Sequence, residues 1–248
     1  MRLGIVIMRR FALIALFLLS GCSPIQLQLH EDDVKVLTRD PKVYVITFKS
    51  PAFEVDTSTN LAVVGGMLGG ALGALATGAA VNVIDEANMS ADIQKDARAL
   101  VRSGTYEDPV MQVRDDFVRI VRDDLKISKF VVVEEPLDDS STKALSDRFH
   151  DGIVLGFRTE EWVLMIVPLS SDFGINYRAS GVFYLPEEKR YMWRELCGVL
   201  AKESRTSLGE LAANSGEGLK DRLKDTGKRC AKQLAADVID RIADRAGK

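Results

Sequence analysis

Three cysteines are the residues of this chain best placed to do chemistry, because a thiolate is a strong nucleophile at modest cost in proton release. Cys22 follows nine apolar residues, Phe11 to Leu19, and two small ones, Ser20 and Gly21. Cys197 lies in "YMWRELCGVLA" and Cys230 in "DTGKRCAKQLAADVID". The remaining reactive types are scattered. The two histidines, His30 and His150, sit far apart, and no HExxH supplies a zinc protease. There is no G-x-S-x-G, no Walker loop and no G-x-G-x-x-G. The adjacent acids Glu134-Glu135, Glu160-Glu161 and Glu187-Glu188 are expected to point to opposite faces of a strand, which does not make the facing pair a glycosidase needs. Asp32, Asp33, Asp138 and Asp139 lack the spacing of an EF-hand. The inventory predicts a protein that is not an enzyme and holds no metal or cofactor.

The amino-terminal residues set the compartment. Arg9 and Arg10 form a basic region ahead of the apolar run, which is shorter than the about 20 residues a membrane span requires. Residues 1–21 read as an export signal. "MRRFALIALFLLSGC" is already complete from Met8, so Met8 is the expected start, with Met1 the alternative. Removing Arg2, Arg9 and Arg10 from 33 basic side chains leaves 30 against 36 acidic ones, net −6. That balance argues against a nucleic-acid surface. It suits an anionic body held near an anionic membrane.

Leu19-Ser20-Gly21-Cys22 resembles the lipobox of bacterial lipoproteins. The resemblance implies that the Cys22 thiol receives a diacylglycerol, that cleavage falls just before Cys22, and that the new amino terminus is acylated. Several acyl chains make a stable anchor. Ser23 stands where an aspartate would retain an enteric lipoprotein in the inner membrane, so the same resemblance implies the outer membrane, facing the periplasm. The order of the glycine-rich run, "YEDPVMQV", "FRTEEWVLMIVP", "YRASGVFYL" and the Cys197/Cys230 pair is similar to that of uncharacterised proteobacterial lipoproteins. That group has no assigned activity and implies no catalytic residue. A looser, fold-level likeness links the chain to the small mixed α/β lipoprotein domains of curli secretion and penicillin-binding-protein activation.

The elements that must position these residues follow from periodicity. Residues 22–41, with Pro24, the acidic "HEDD" and Pro41, read as a tether carrying the lipidated cysteine. Residues 42–248 read as one periplasmic domain. "KVYVITFKS" (42–50) is apolar on both faces and predicts an inner strand. Residues 61–81 carry no charge and place Gly65, Gly69 and Gly73 four apart, a smooth face if helical. Three readings stay open for that segment: a membrane-inserting or self-associating helix, a helix packed on the domain's own sheet, and an apolar loop. Helical periodicity runs from Val81 to Lys126 with a break at "SGTYEDP". "KFVVVEE" (129–135) predicts a short buried strand, and residues 140–150 a helix with a Ser or Thr cap. Residues 152–201 predict an antiparallel meander, and residues from about 207 to 246 a long helix or two, broken near Gly216 and Gly218.

Cys230 falls on the apolar stripe of that helix, and Cys197 on a strand face with Trp193 and Val199. With Cys22 lipidated, an even remainder in an oxidising compartment predicts a helix-to-sheet disulfide. Two independent buried thiols are the alternative. The expected fold is α+β: a mixed, mainly antiparallel sheet with flanking helices and a long C-terminal helix. The expected role is a lipid-anchored envelope lipoprotein acting as a non-enzymatic interaction or assembly module. It would bind an envelope protein and no nucleic acid, with room for a homo-oligomer. The alternative is a membrane-active or self-associating oligomer built on residues 61–81.

Overall fold

A computed structural model of the chain describes residues 27–56, 80–138, 140–167 and 170–246. Five helices and six strands follow in the order α1 (Glu31–Leu37), β1 (Val43–Thr47), β2 (Glu54–Asp56), α2 (Ala80–Ser103), α3 (Pro109–Leu125), β3 (Phe130–Val132), α4 (Thr142–Arg148), β4 (Ile153–Ile166), β5 (Phe173–Leu185), β6 (Arg190–Val199) and α5 (Leu208–Ala246). The fold is α+β, with one mixed sheet in the order β3-β1-β4-β5-β6 and β2 pairing further along β4. β1 runs parallel to β3 and β4, and the long pairings β4–β5 and β5–β6 are antiparallel. The sheet is therefore mainly antiparallel by paired length, and the meander lies where periodicity put it.

The inner face carries the main core. The α3 residues Val110, Val113, Phe117 and Val121 recur at helical spacing and pack on the sheet beside Leu219, Leu223, Leu234 and Val238 of α5. Phe117 sits 5.1 Å from the Phe157 ring and Trp193 5.5 Å from the Phe183 ring, forming the aromatic centre. Asp108 caps α3 by accepting from Val110 N–H at 2.8 Å, and Pro109 occupies the first turn, where no N–H is missed. Ser141 caps α4. α5 is two segments: Asn214, Ser215 and Gly216 all take left-handed φ, which breaks the helix beside the predicted glycine.

Two expectations change. Residues 129–135 do not form a buried strand: β3 is an edge strand, with Val131 and Val132 40% and 39% exposed, because it ends the sheet order and pairs with β1 alone among the described strands. The expected tether is, from Leu27 onward, part of the fold. Leu27 exchanges two 3.1 Å backbone hydrogen bonds with Arg194 at the free edge of β6, Leu29 is fully buried, and α1 buries Val34 and Leu37. Asp33, placed by the sequence in the tether, is fully buried: it accepts from His30 N–H at 2.9 Å, and Arg190 Nη1 lies 2.7 Å from its other oxygen.

Candidate functional site

Cys197 and Cys230 are joined by a disulfide, with Cα atoms 5.3 Å apart and 33 residues of separation. Both are buried, Cys197 on the β6 face with Trp193 and Val199, Cys230 on the sheet-facing stripe of α5. The cross-link fixes the C-terminal helix across the meander. It is structural, since neither sulfur is open to a substrate. Cys22, Gly65, Gly69 and Gly73 lie outside the described residues.

Among the described residues, the outer face of the sheet is only partly covered. One end is covered by α4 and the 133–137 segment, which bury Ile46, Phe48, Leu137, Leu145, Phe149 and Val154 in a second, smaller core. Beyond this cover the same face turns polar. β5 presents Asn176, Arg178 and Ser180 at successive outward positions, and β4 answers with Arg158, Glu160 and Glu161. The two glutamates contradict simple strand alternation. A register shift between Thr159 and Glu161 inserts one residue into β4, so both carboxylates reach the outer face. Glu160 accepts from the Ser180 hydroxyl at 2.7 Å, while Glu161 accepts from the Asn176 amide at 2.8 Å and pairs with Arg178 at 3.3 Å.

At the border between covered and open halves lies a cavity of about 60 Å³. Gly156 is among its lining residues, and a Cβ there would press on Phe48 at 2.9 Å and Val182 at 3.1 Å, so glycine lets these two side chains pack against the strand. Arg158, Arg194, Glu160 and Ser180 surround it. The Arg158 guanidinium donates one 3.3 Å hydrogen bond to Ser140 Oγ. Arg194 Nε is buried and has no hydrogen-bond partner. No carboxylate lies within ion-pair distance of either arginine among the described residues. Two cations thus face one carboxylate, which is already engaged by Ser180. Guanidinium groups arranged around a hollow in this way can pair with an anionic group. Sequence reading passed over Arg158, Arg194 and Gly156. The bulge that places Glu160 and the β6 register that places Arg194 have no local signal.

A second polar group is buried on the inner face. Thr159 Oγ1 donates to Asp108 Oδ1 at 2.6 Å, so its single proton is committed, and the Tyr177 hydroxyl must donate to Thr159 at 3.3 Å. Burial pushes the Tyr177 phenol above its ordinary value, and the Asp108 charge adds to this. This chain ties the α3 cap to the sheet and meets no cavity at its reacting atoms. No cluster of three or more His, Cys, Asp or Glu side chains suited to a metal occurs among the described residues. Nor is any described helix long and apolar enough to cross a membrane.

No family model matches the chain, and no curated protein matches it. Among solved structures it is similar to the hypothetical protein CT253 from Chlamydia trachomatis, at 8% identity and a TM-score of 0.33, over 56% of this chain and 91% of that one. A likeness this loose carries neither fold nor function from one chain to the other.

Proposed function

We propose that this chain is a lipid-anchored envelope lipoprotein, held by Cys22 and facing the periplasm from the outer membrane, whose folded domain is a non-enzymatic interaction module. The observation that supports this reading is the outer sheet face, half covered by α4 and half open, with charged side chains of both signs around an arginine-lined hollow. Interaction surfaces carry such a polar, arginine-containing rim around a small cavity. The disulfide fits an oxidising compartment. The anchor rests on the Leu19–Cys22 motif.

The test places a photo-crosslinking residue at Arg178 or Leu196 on the open face, and at Lys143 on the exposed side of α4, in living cells. A discrete crosslink to one envelope protein from Arg178 and Leu196 but not from Lys143 supports the module. Equal products from all three positions count against it. Mass analysis of the amino-terminal peptide reads the anchor separately: an unmodified Cys22 removes that part of the reading.

A further inference from the structure

We infer that the hollow between Arg158 and Arg194 is a subsite for a phosphoryl group, and that the group it takes is the headgroup of a lipid in the membrane that holds Cys22. The choice of lipid as source rests on the anchor proposed above; the anion chemistry of the hollow does not.

The anion chemistry comes from the unpaired donors. Placing a guanidinium N–H away from water without an acceptor is unfavourable, because the donor gives up its hydration and gains nothing in return. Arg194 Nε is in that position, and the Arg194 and Arg158 side chains both line the hollow, Arg158 with a single long bond to Ser140. Glu160 is turned toward Ser180, where its Oε1 is held at 2.7 Å, leaving the hollow with an excess of one positive charge. Guanidinium forks match phosphate oxygens in pairs. The hollow is small and opens to solvent, so a phosphoryl group can enter it while the rest of its carrier stays outside.

The source comes from chain length. Arg194 is the residue whose backbone pairs with Leu27, so the hollow lies beside the point where the amino-terminal segment joins the sheet. Leu27 is five residues from Cys22, which gives a leash of about 18 Å at full extension. A diacylated Cys22 sits at the bilayer interface, so the β6 edge stays within about 18 Å of it and the Arg194 side of the hollow can reach the headgroups. Free phosphate would reach the same donors without this confinement, and the experiment separates the two.

The full chain, purified in a nonionic detergent, is observed through the Arg194 Nε–H resonance while inorganic phosphate, acetate, or phosphatidylglycerol or phosphatidylcholine doped into the micelles is added. Phosphatidylglycerol and inorganic phosphate are expected to move the resonance, with half-saturation at least tenfold lower for the lipid. Arg158→Gln is expected to weaken both responses at least tenfold. Arg39→Gln, which removes the same charge from an exposed site elsewhere, is expected to leave them unchanged. Arg158 is exposed, so its replacement reads binding without threatening the fold. A response to phosphate but not to phosphatidylglycerol overturns the lipid source. An equal response to acetate overturns the phosphoryl assignment in favour of a carboxylate. No response to any anion, or full responses in Arg158→Gln, overturns the subsite. The mass of the amino-terminal peptide in the same sample shows whether Cys22 is lipidated, so failure of the anchor is told apart from failure of the hollow.

Discussion

Removing the Cys197–Cys230 cross-link should lower stability by about 3–4 kcal/mol. The bridge closes a loop over a separation of 33 residues, and in the chain-entropy account a loop of that size restricts the unfolded ensemble by this amount. For a domain of this size, about 2–4 °C of melting temperature corresponds to each kcal/mol, so the expected drop is about 6–16 °C. Cys197 is 3% exposed and Cys230 fully buried, so reductant alone will act slowly on the folded chain. The clean perturbation is the double substitution Cys197→Ala with Cys230→Ala, compared with wild type refolded under strong reductant. Reduction keeps both sulfurs in place and reports the cross-link alone. The double alanine variant also loses the packing of two sulfur atoms, adding about 1 kcal/mol. The assay is thermal unfolding by circular dichroism, with amide exchange as the local readout. The closed loop contains the break at residues 213–216, so residues 208–230 should gain most exchange. A drop below about 2 °C on reduction, or exchange that rises evenly over the sheet, would refute the argument that the bridge holds the first half of α5 in place.

Gly174 faces the Ala201 backbone carbonyl so closely that a Cβ would overlap it, and a carbonyl cannot turn aside as a side chain can. Gly174→Ala should therefore cost about 3 kcal/mol, seen as a denaturation midpoint shifted at constant slope. Thr159→Val keeps the shape but strips the acceptor of the Tyr177 hydroxyl and a donor to Asp108, and should cost about 1–3 kcal/mol; adding Tyr177→Phe should then cost less than it does alone. At the acid limit, the Tyr44 hydroxyl and then Lys42 hold Asp151 below its ordinary value, while the Ser128 backbone N–H and hydroxyl do the same for Asp40. A folded-state value below the unfolded one gives stability that is present above about pH 3.8 and lost as pH falls through the folded value, so Asp151→Asn should flatten part of the acid limb of an unfolding–pH profile. At the alkaline limit the sign reverses: Tyr177 stays neutral in the folded chain while its unfolded form ionises near pH 10, so stability declines above that pH, and Tyr177 should escape ultraviolet titration until the chain unfolds.

Elements with strong period or strong local chemistry were legible before any coordinates. α3 carries its apolar residues at helical spacing behind an Asp-Pro start, and the strand–turn–strand of β5 and β6 is written in alternation around "LPEEKR". The disulfide was legible because two independent patterns each turned a cysteine inward. Elements whose state depends on distant partners were not. β3 reads as buried because three valines in a row satisfy either an inner or an edge strand, and only the sheet order decides. β2 has three residues and is specified by its pairing with Val163–Met165 rather than by its own sequence. The same holds for the site. One inserted residue in β4 turns Glu160 and Glu161 to a common face, and a bulge is a property of two strands in register, not of one.

The amino-terminal segment shows how one such error changes the functional reading. "LQLHEDDVKVLT" reads as a solvated tether because five of its twelve residues are charged or histidine and a proline flanks each end of the wider stretch. Its apolar residues decide otherwise. Leu27 enters the sheet ladder, and Leu29, Val34 and Leu37 are buried. Asp33, the residue that most argued for solvent, is stabilised inside by the His30 N–H and Arg190. The first-turn acids Glu31 and Asp32 complement the helix dipole rather than solvate a linker. Under the proposed anchor, the distance between lipid and domain then shrinks from that of a twenty-residue tether to that of five residues. A long tether would let the open sheet face search the periplasm in any orientation. With Cys22 lipidated as proposed, a five-residue leash leaving from the β6 edge would restrict that face to partners, or headgroups, near the membrane surface. Inserting a flexible twelve-residue linker after Ser23 should release this restriction: crosslinks from Leu196 to membrane-embedded material should fall at least several-fold while folding is unchanged. Unchanged crosslinking with the linker in place would mean that the β6 edge is not what sets the domain's distance from the membrane.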